Sequence, residues 1–137
     1  MLDTNVVSEA MRIVPDPGVL RWLNESETSD LYLSTITIAE VSYGLQILPE
    51  GRRRDAISER FEQFVNRGFS HRVLSFDEPA AIVYGEIMAR TKKIGRPMSV
   101  PDGQIAAIAK THNLVVATRN TEDFEPTGME LVNPWGA

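Results

Sequence analysis

Residues 101–118 read PDGQIAAIAKTHNLVVAT, and this stretch decides the fold. From Pro101 to His112, Ile105, Ala106, Ile108 and Ala109 recur at helical spacing. Leu114–Thr118 (LVVAT) follows at once, nearly all apolar and without a polar face. A short apolar run of that kind suits a strand covered on both faces, as in a parallel sheet. Helix followed directly by buried strand is half of an α/β unit.

The same alternation continues outward. Toward the N-terminus, Val73–Phe76 reads as a short strand, and Asp77 can cap the helix after it, with Pro79 in its first turn. Ile82, Ile87 and Met88 run along that helix until Gly95-Arg96-Pro97 ends it. Arg52–Phe69 carries Ile57, Phe61, Phe64 and Val65 on one face, an amphipathic helix. Leu31–Ile36 (LYLSTI) reads as a strand, and Thr37–Leu48 as a helix that stops near Pro49-Glu50-Gly51. Pro17–Asn24 reads as a helix behind a Pro-Asp-Pro turn. Toward the C-terminus, Glu130–Val132 offers a last short strand. Met1–Asp3 is a very short one: either residues precede it, or it is a minimal central strand. Alternating strands and helices predict an α/β fold with a mostly parallel central sheet, in a single domain over residues 1–137.

Composition narrows the function. The absence of cysteine excludes disulfides and thiolate metal sites. No apolar run reaches membrane-span length, and no leader pattern points to export, so the expected location is cytoplasmic. A net charge of −5 argues against broad nucleic-acid binding, although a local basic patch, Arg52, Arg53 and Arg54, can hold phosphates or simply be a solvated helix start. His71 and His112 read as structural. No G-x-S-x-G elbow, phosphate-binding loop or dinucleotide-binding turn is present.

The acids are more informative. Ligands of open parallel sheets sit at the carboxyl ends of the strands. Asp3, Glu40, Asp102 and Asp123 each stand where a strand gives way or a helix begins. Capping is a competent explanation for three of them. Thr37-x-x-Glu40, Ser99-x-x-Asp102 and Asn120-x-x-Asp123 all have capping-box spacing, and an acid in a first helical turn gains roughly 0.3–1 kcal/mol from the dipole. Asp3 does not fit that explanation, because it reads as a strand carboxylate with no Lys or Arg near it in sequence. Gathered in one place, such acids repel strongly, by about 4 kcal/mol for charges ~4 Å apart at an effective dielectric of ~20. A divalent cation relieves this. Oxygen-only ligands favour Mg²⁺ or Mn²⁺, whose open positions suit phosphodiester cleavage.

Together, L-D-T-N at residues 2–5, T-x-x-E-V-x-x-G at 37–44, P-D-G-x-I-A-A-x-A at 101–109 and V-A-T-R-N-x-x-D-F at 116–124 resemble a PIN domain. The likeness is to the VapC-like toxins of type II toxin–antitoxin systems, including the FitB-like members, and the terminal N-P-W at 133–135 is typical of that branch. The resemblance implies a three-layer α/β/α PIN-like fold and a Mg²⁺-dependent endoribonuclease (Mn²⁺ also serving) that cleaves RNA and is neutralised by a cognate antitoxin. It assigns Asp3, Glu40 and Asp102 to the metal, with Asp3 and Asp102 as the firmest direct ligands. Thr4, Asn5 and Thr118 would support the site. Many relatives carry a fourth acid where this chain has Asn120; Asp123, three residues on, would replace it, act through water, or merely cap. A homodimer through the apolar helical faces after Gly51 is implied, as is an antitoxin that inserts a basic residue among the acids. Two rivals remain: an aspartate-dependent phosphatase with Asp3 as nucleophile, weakened by Asn5 where a second acid belongs, and a catalytically weak metal-binding module.

Overall fold

The computed structural model describes residues 1–136; Ala137, the last residue of the expected domain, lies outside the described residues. Helices α1 (Thr4–Ala10), α2 (Pro17–Glu25), α3 (Thr35–Gln46), α4 (Arg52–Gly68), α5 (Glu78–Lys93), α6 (Val100–Thr111) and α7 (Thr121–Phe124) alternate with strands β1 (Leu33–Ser34), β2 (Val73–Leu74), β3 (Val116–Ala117) and β4 (Leu131–Val132).

Both strand pairs are parallel: Leu33 lies opposite Val73 in one, and Val116 opposite Leu131 in the other. Met1–Asp3 joins them. The Leu2 amide donates to the Tyr32 carbonyl at 2.9 Å, the Asp3 amide to the Ala117 carbonyl at 2.9 Å, and the Ala117 amide to the Met1 carbonyl at 2.8 Å. Leu2 pairs with Ala117 in parallel. The sheet therefore runs β2, β1, Met1–Asp3, β3, β4, with the N-terminal residues at its centre. Met1–Asp3 thus serves as a central strand of this sheet.

Helices cover both faces, and the strand residues alternate between two cores as period 2 requires. Met1, Val116, Leu74 and Leu131 pack with α5 and α6 residues such as Ile87 and Ile105. Leu2, Ala117, Val73 and Val132 pack on the other side with Val6, Val41 and Phe61. This is the expected α/β/α layering, and the amphipathic face of α4 (Ile57, Phe61, Phe64, Val65) joins the second core as its spacing predicts.

Local expectations need correction. The strands are shorter than read: LYLSTI yields only Leu33–Ser34, and Thr35 already belongs to α3. Val73–Phe76, Leu114–Thr118 and Glu130–Val132 shrink likewise to two residues each. Helix α1 was not anticipated, and Asp3 is its N-cap. The carboxylate that capping failed to explain is itself a capping residue.

Candidate active site

Caps place the acids. The Asp3 Oδ1 accepts the Thr4 amide at 2.8 Å, and Oδ2 accepts the Thr118 hydroxyl at 2.8 Å, so both oxygens are oriented while the residue stays 5% exposed. The β-bridge at Leu2 and the first turn of α1 fix its backbone on either side.

Glu40 is not part of a capping box. The N-cap of α3 is Ser34, whose hydroxyl accepts the Thr37 amide at 3.1 Å. Glu40 therefore lies beyond the first turn, too far along to serve the helix end. Its Oε1 accepts the Thr4 hydroxyl at 2.6 Å, and that hydroxyl also lies 3.1 Å from the Thr37 hydroxyl, which contacts Ser34 at 3.4 Å. A chain of three hydroxyls thus ties Glu40 to the sheet beside Asp3.

Asp102 does sit in a cap, as its spacing predicts: Ser99 is the N-cap of α6, and its hydroxyl accepts the Asp102 amide at 3.3 Å. Gly103 beside it has a packing reason. A Cβ there would stand 2.4 Å from the Met88 sulfur and 3.1 Å from the Tyr84 ring, so an alanine would have to displace the Met88 end and the Tyr84 ring where α5 and α6 pack beside Asp102. The pairing of Asn120 with Asp123 as a cap fails. Asn120 holds the N-cap position of α7, but its side chain makes no capping bond.

Asp3, Glu40 and Asp102 line one open cleft of about 550 Å³, together with Thr4, Asn5 and Asn120. Asp123 faces a neighbouring cleft of about 310 Å³ that Asp102 also borders. Thr118 is buried beneath the acids and organises the 118–120 turn; its hydroxyl oxygen receives the Asn5 amide group at 3.3 Å and the Asn120 backbone N–H at 3.0 Å. The arginine patch is divided. Arg52 and Arg53 line a third, largely apolar groove of about 870 Å³. Arg54 donates to Gln46 at 2.6 Å in a different depression.

The acids feel one another. Burial pushes the Asp3 carboxyl up to about 6; the hydrogen bonds from Thr118 and Thr4 oppose this, and the charges of Asp102 and Glu40 add to it. Asp102 is also raised, first by burial, with Ser99 opposing and Asp123 and Glu40 adding repulsion. Among the described residues no Lys or Arg forms an ion pair with any of these acids.

Among the described residues, no three carboxylate or imidazole groups converge closely enough to form a ready-made metal cage. Mutual repulsion, which reaches across several ångströms, and coordination, which needs oxygens ~2.1 Å from one point, are different demands. Mg²⁺ typically keeps several waters and takes only one or two carboxylates. Asp3 and Asp102 fit that role, with Glu40 held nearby.

Sequence reasoning missed Glu9, which lines the acid cleft at 6% exposure. It accepts the Asp16 amide at 3.0 Å and pairs with Arg12 at 3.4 Å. The Glu9-x-x-Arg12 spacing on one helix face was the available signal. Arg119 and Trp135 at the same cleft were also missed.

The geometry defines an acid-lined cleft at the carboxyl end of a parallel sheet, and the chain belongs to the PIN-domain family, whose model matches residues 1–128. Among its relatives it is 42% identical over 135 residues to Toxin FitB of Neisseria gonorrhoeae, covering 98% of this chain and 97% of that protein. It is 43% identical over 135 residues to the VapC ribonuclease Y4jK of Sinorhizobium fredii, covering 98% and 96%. The crystal structure of FitAcB from Neisseria gonorrhoeae superposes with a TM-score of 0.93 at 42% identity, covering 99% of this chain and 98% of that one.

Proposed function

We propose that this chain, acting as a single PIN-like unit, is a metal-dependent endoribonuclease toxin neutralised by a cognate antitoxin. The observation that carries the reading is the acid cleft itself: Asp3, Glu40 and Asp102 on separate segments, two of them raised by burial and mutual charge, and none of the three in an ion pair with a Lys or Arg among the described residues. The kinship to a VapC ribonuclease and to Toxin FitB supports the same reading.

Asp3 and Asp102 would hold Mg²⁺ or Mn²⁺, which when bound supplies a nucleophile at neutral pH and neutralises charge on the phosphodiester. The chain's own residues do the rest. Thr4 and Thr118 fix the two oxygens of Asp3 by hydrogen bonds, so the carboxylate is oriented before anything binds. Glu40, held by Thr4, would orient the attacking water and take its proton. Asn5 and Asn120 brace the turn after β3. Asp123 lines the adjoining cleft with Asp102 and adds to its raised carboxyl; on this reading it would add charge to the centre from outside and not replace the acid absent at Asn120.

A basic antitoxin segment suits a cleft with this charge. A homodimer and a cytoplasmic location belong to the same proposal; no helix among the described residues is long and apolar enough to cross a membrane.

The test is cleavage of RNA by purified protein with Mg²⁺, Mn²⁺ or EDTA, comparing the parent with Asp3→Asn. Cleavage is expected with either metal and absent in EDTA. Activity that persists in EDTA, or in Asp3→Asn, would sink the mechanism.

A further inference from the structure

RNA brings its own negative charge to this cleft, and the acids repel it wherever a metal does not stand between. Two cations line the cleft, Arg12 and Arg119. Arg12 is committed, paired with Glu9 at 3.4 Å. Arg119 is not. Its guanidinium carbon lies 5.3 Å from the centroid of the Trp135 ring, and among the described residues the group makes no ion pair with any carboxylate. Its backbone amide donates to the Asn5 Oδ1 at 3.3 Å, which ties the residue to the turn that braces Asp3 through Thr118.

A guanidinium held over an indole by the cation–π attraction loses freedom, and its fork of N–H donors matches two phosphate oxygens. An arginine kept at the rim of an acid cleft, yet not drawn into the acids, leaves its charge available to an incoming anion. Trp135 is half-buried against Val132 and the second core, so it serves as a firm backing.

We propose that Arg119, held against the Trp135 ring, anchors a backbone phosphate of the RNA next to the one that is cleaved. The inference rests on the ribonuclease reading above. Arg119 is a binding and positioning residue: it sets where the strand lies and leaves the acids to act.

The test uses a fluorescein-labelled mixed-sequence single-stranded RNA of twelve nucleotides, read by anisotropy in EDTA across a salt series, and cleavage of the same RNA in Mg²⁺. Arg119→Ala is expected to weaken binding about tenfold and to lower the slope of log affinity against log salt by about 0.7, the share of one single-strand phosphate contact. In Mg²⁺ it should raise KM about tenfold with kcat within about twofold. Arg119→Lys should restore the salt slope but only part of the affinity, since charge returns without the planar fork. Trp135→Leu should weaken binding while keeping the slope; if that variant does not fold, the two Arg119 variants decide alone.

Unchanged affinity and slope in Arg119→Ala, with a parent that binds and cleaves the RNA, overturns the inference and leaves the ribonuclease reading standing. Loss of oligo-glutamate binding in Arg119→Ala with RNA binding intact also overturns it, by assigning the guanidinium to a protein carboxylate. A parent that neither binds nor cleaves the RNA overturns both.

Discussion

Asp3→Asn should make the metal-free protein more stable at pH 7.5. Asp3 has an unfolded-state pKa of 3.8 and a folded-state value pushed up to about 6 by burial. Between those values the folded protein holds a proton that the unfolded chain has released. Stability therefore falls as pH rises through that window, because the native state binds more protons than the unfolded state. The shift of 6 − 3.8, near 2 units, corresponds to about 3 kcal/mol lost by the parent above pH 6. Asparagine removes the charge and keeps the shape. Its carbonyl oxygen can still accept the Thr4 amide, but the amide nitrogen that replaces Oδ2 cannot accept from the Thr118 hydroxyl, which loses that partner at a cost of about 1 kcal/mol. The net gain is about 2 kcal/mol, or a rise in Tm of roughly 7 °C for a chain of this size, from an unfolding entropy near 2.1 cal/mol/K per residue. The measurement is thermal unfolding in EDTA at a series of pH values. The difference between variant and parent should be near or below zero under pH 4, grow between pH 4 and 6, and stay level above. A difference that does not vary with pH, or a variant less stable than the parent at pH 7.5, would refute the reasoning.

The same charge predicts the response to metal: added Mg²⁺ should raise the Tm of the parent at pH 7.5, far less at pH 5 where Asp3 is protonated, and not at all in Asp3→Asn, as read by thermal shift. Thr4→Val removes the hydroxyl that holds Glu40 and touches Thr37; RNA cleavage should drop at least tenfold, with a stability loss of about 1–2 kcal/mol in denaturant titration. Ser34→Ala removes the true cap of α3 and should cost about 1 kcal/mol in denaturant titration. Gly103→Ala forces the Met88 sulfur and Tyr84 ring away from α6; about 1–3 kcal/mol of destabilisation is expected, along with weaker Mg²⁺ binding through the displaced Asp102.

The helices were legible because they are long enough for periodicity to average over several turns. Arg52–Gly68 and Val100–Thr111 came out almost to the residue. The strands were not, since two-residue pairings such as Leu33–Ser34 are shorter than any period the sequence can display. The chain enters a helix as soon as it leaves the sheet, and Thr35, Ile36 and Thr37 are β-branched residues used in a first helical turn. Tertiary packing overrides propensity there. The acids were found because strand ends could be located roughly. The hydroxyls that hold them were only partly found: Thr4 and Thr118 lie next to motif acids, but Ser34 and Thr37 act through hydrogen bonds that no spacing rule marks.

The choice of supporting groups explains how the site can be both preorganised and receptive. Asp3 and Glu40 are oriented by hydroxyls and one backbone amide, while Arg12, a cation of the same cleft, is bound to Glu9. A lysine or arginine paired with Asp3 would have lowered its pKa and stabilised the apo fold, but it would also occupy the place where an outside cation must sit. Neutral donors fix the direction of each oxygen without cancelling its charge. The cost of that uncompensated charge, visible in the carboxyls of Asp3 and Asp102 that burial raises first and neighbouring acids raise further, would be released when a cation arrives. On the proposed function, a metal ion and the basic side chain of a protein inhibitor would be alternatives for that one position. On this logic, occupancy by a basic residue should compete directly with Mg²⁺, and neutralising Asp3 should weaken both together.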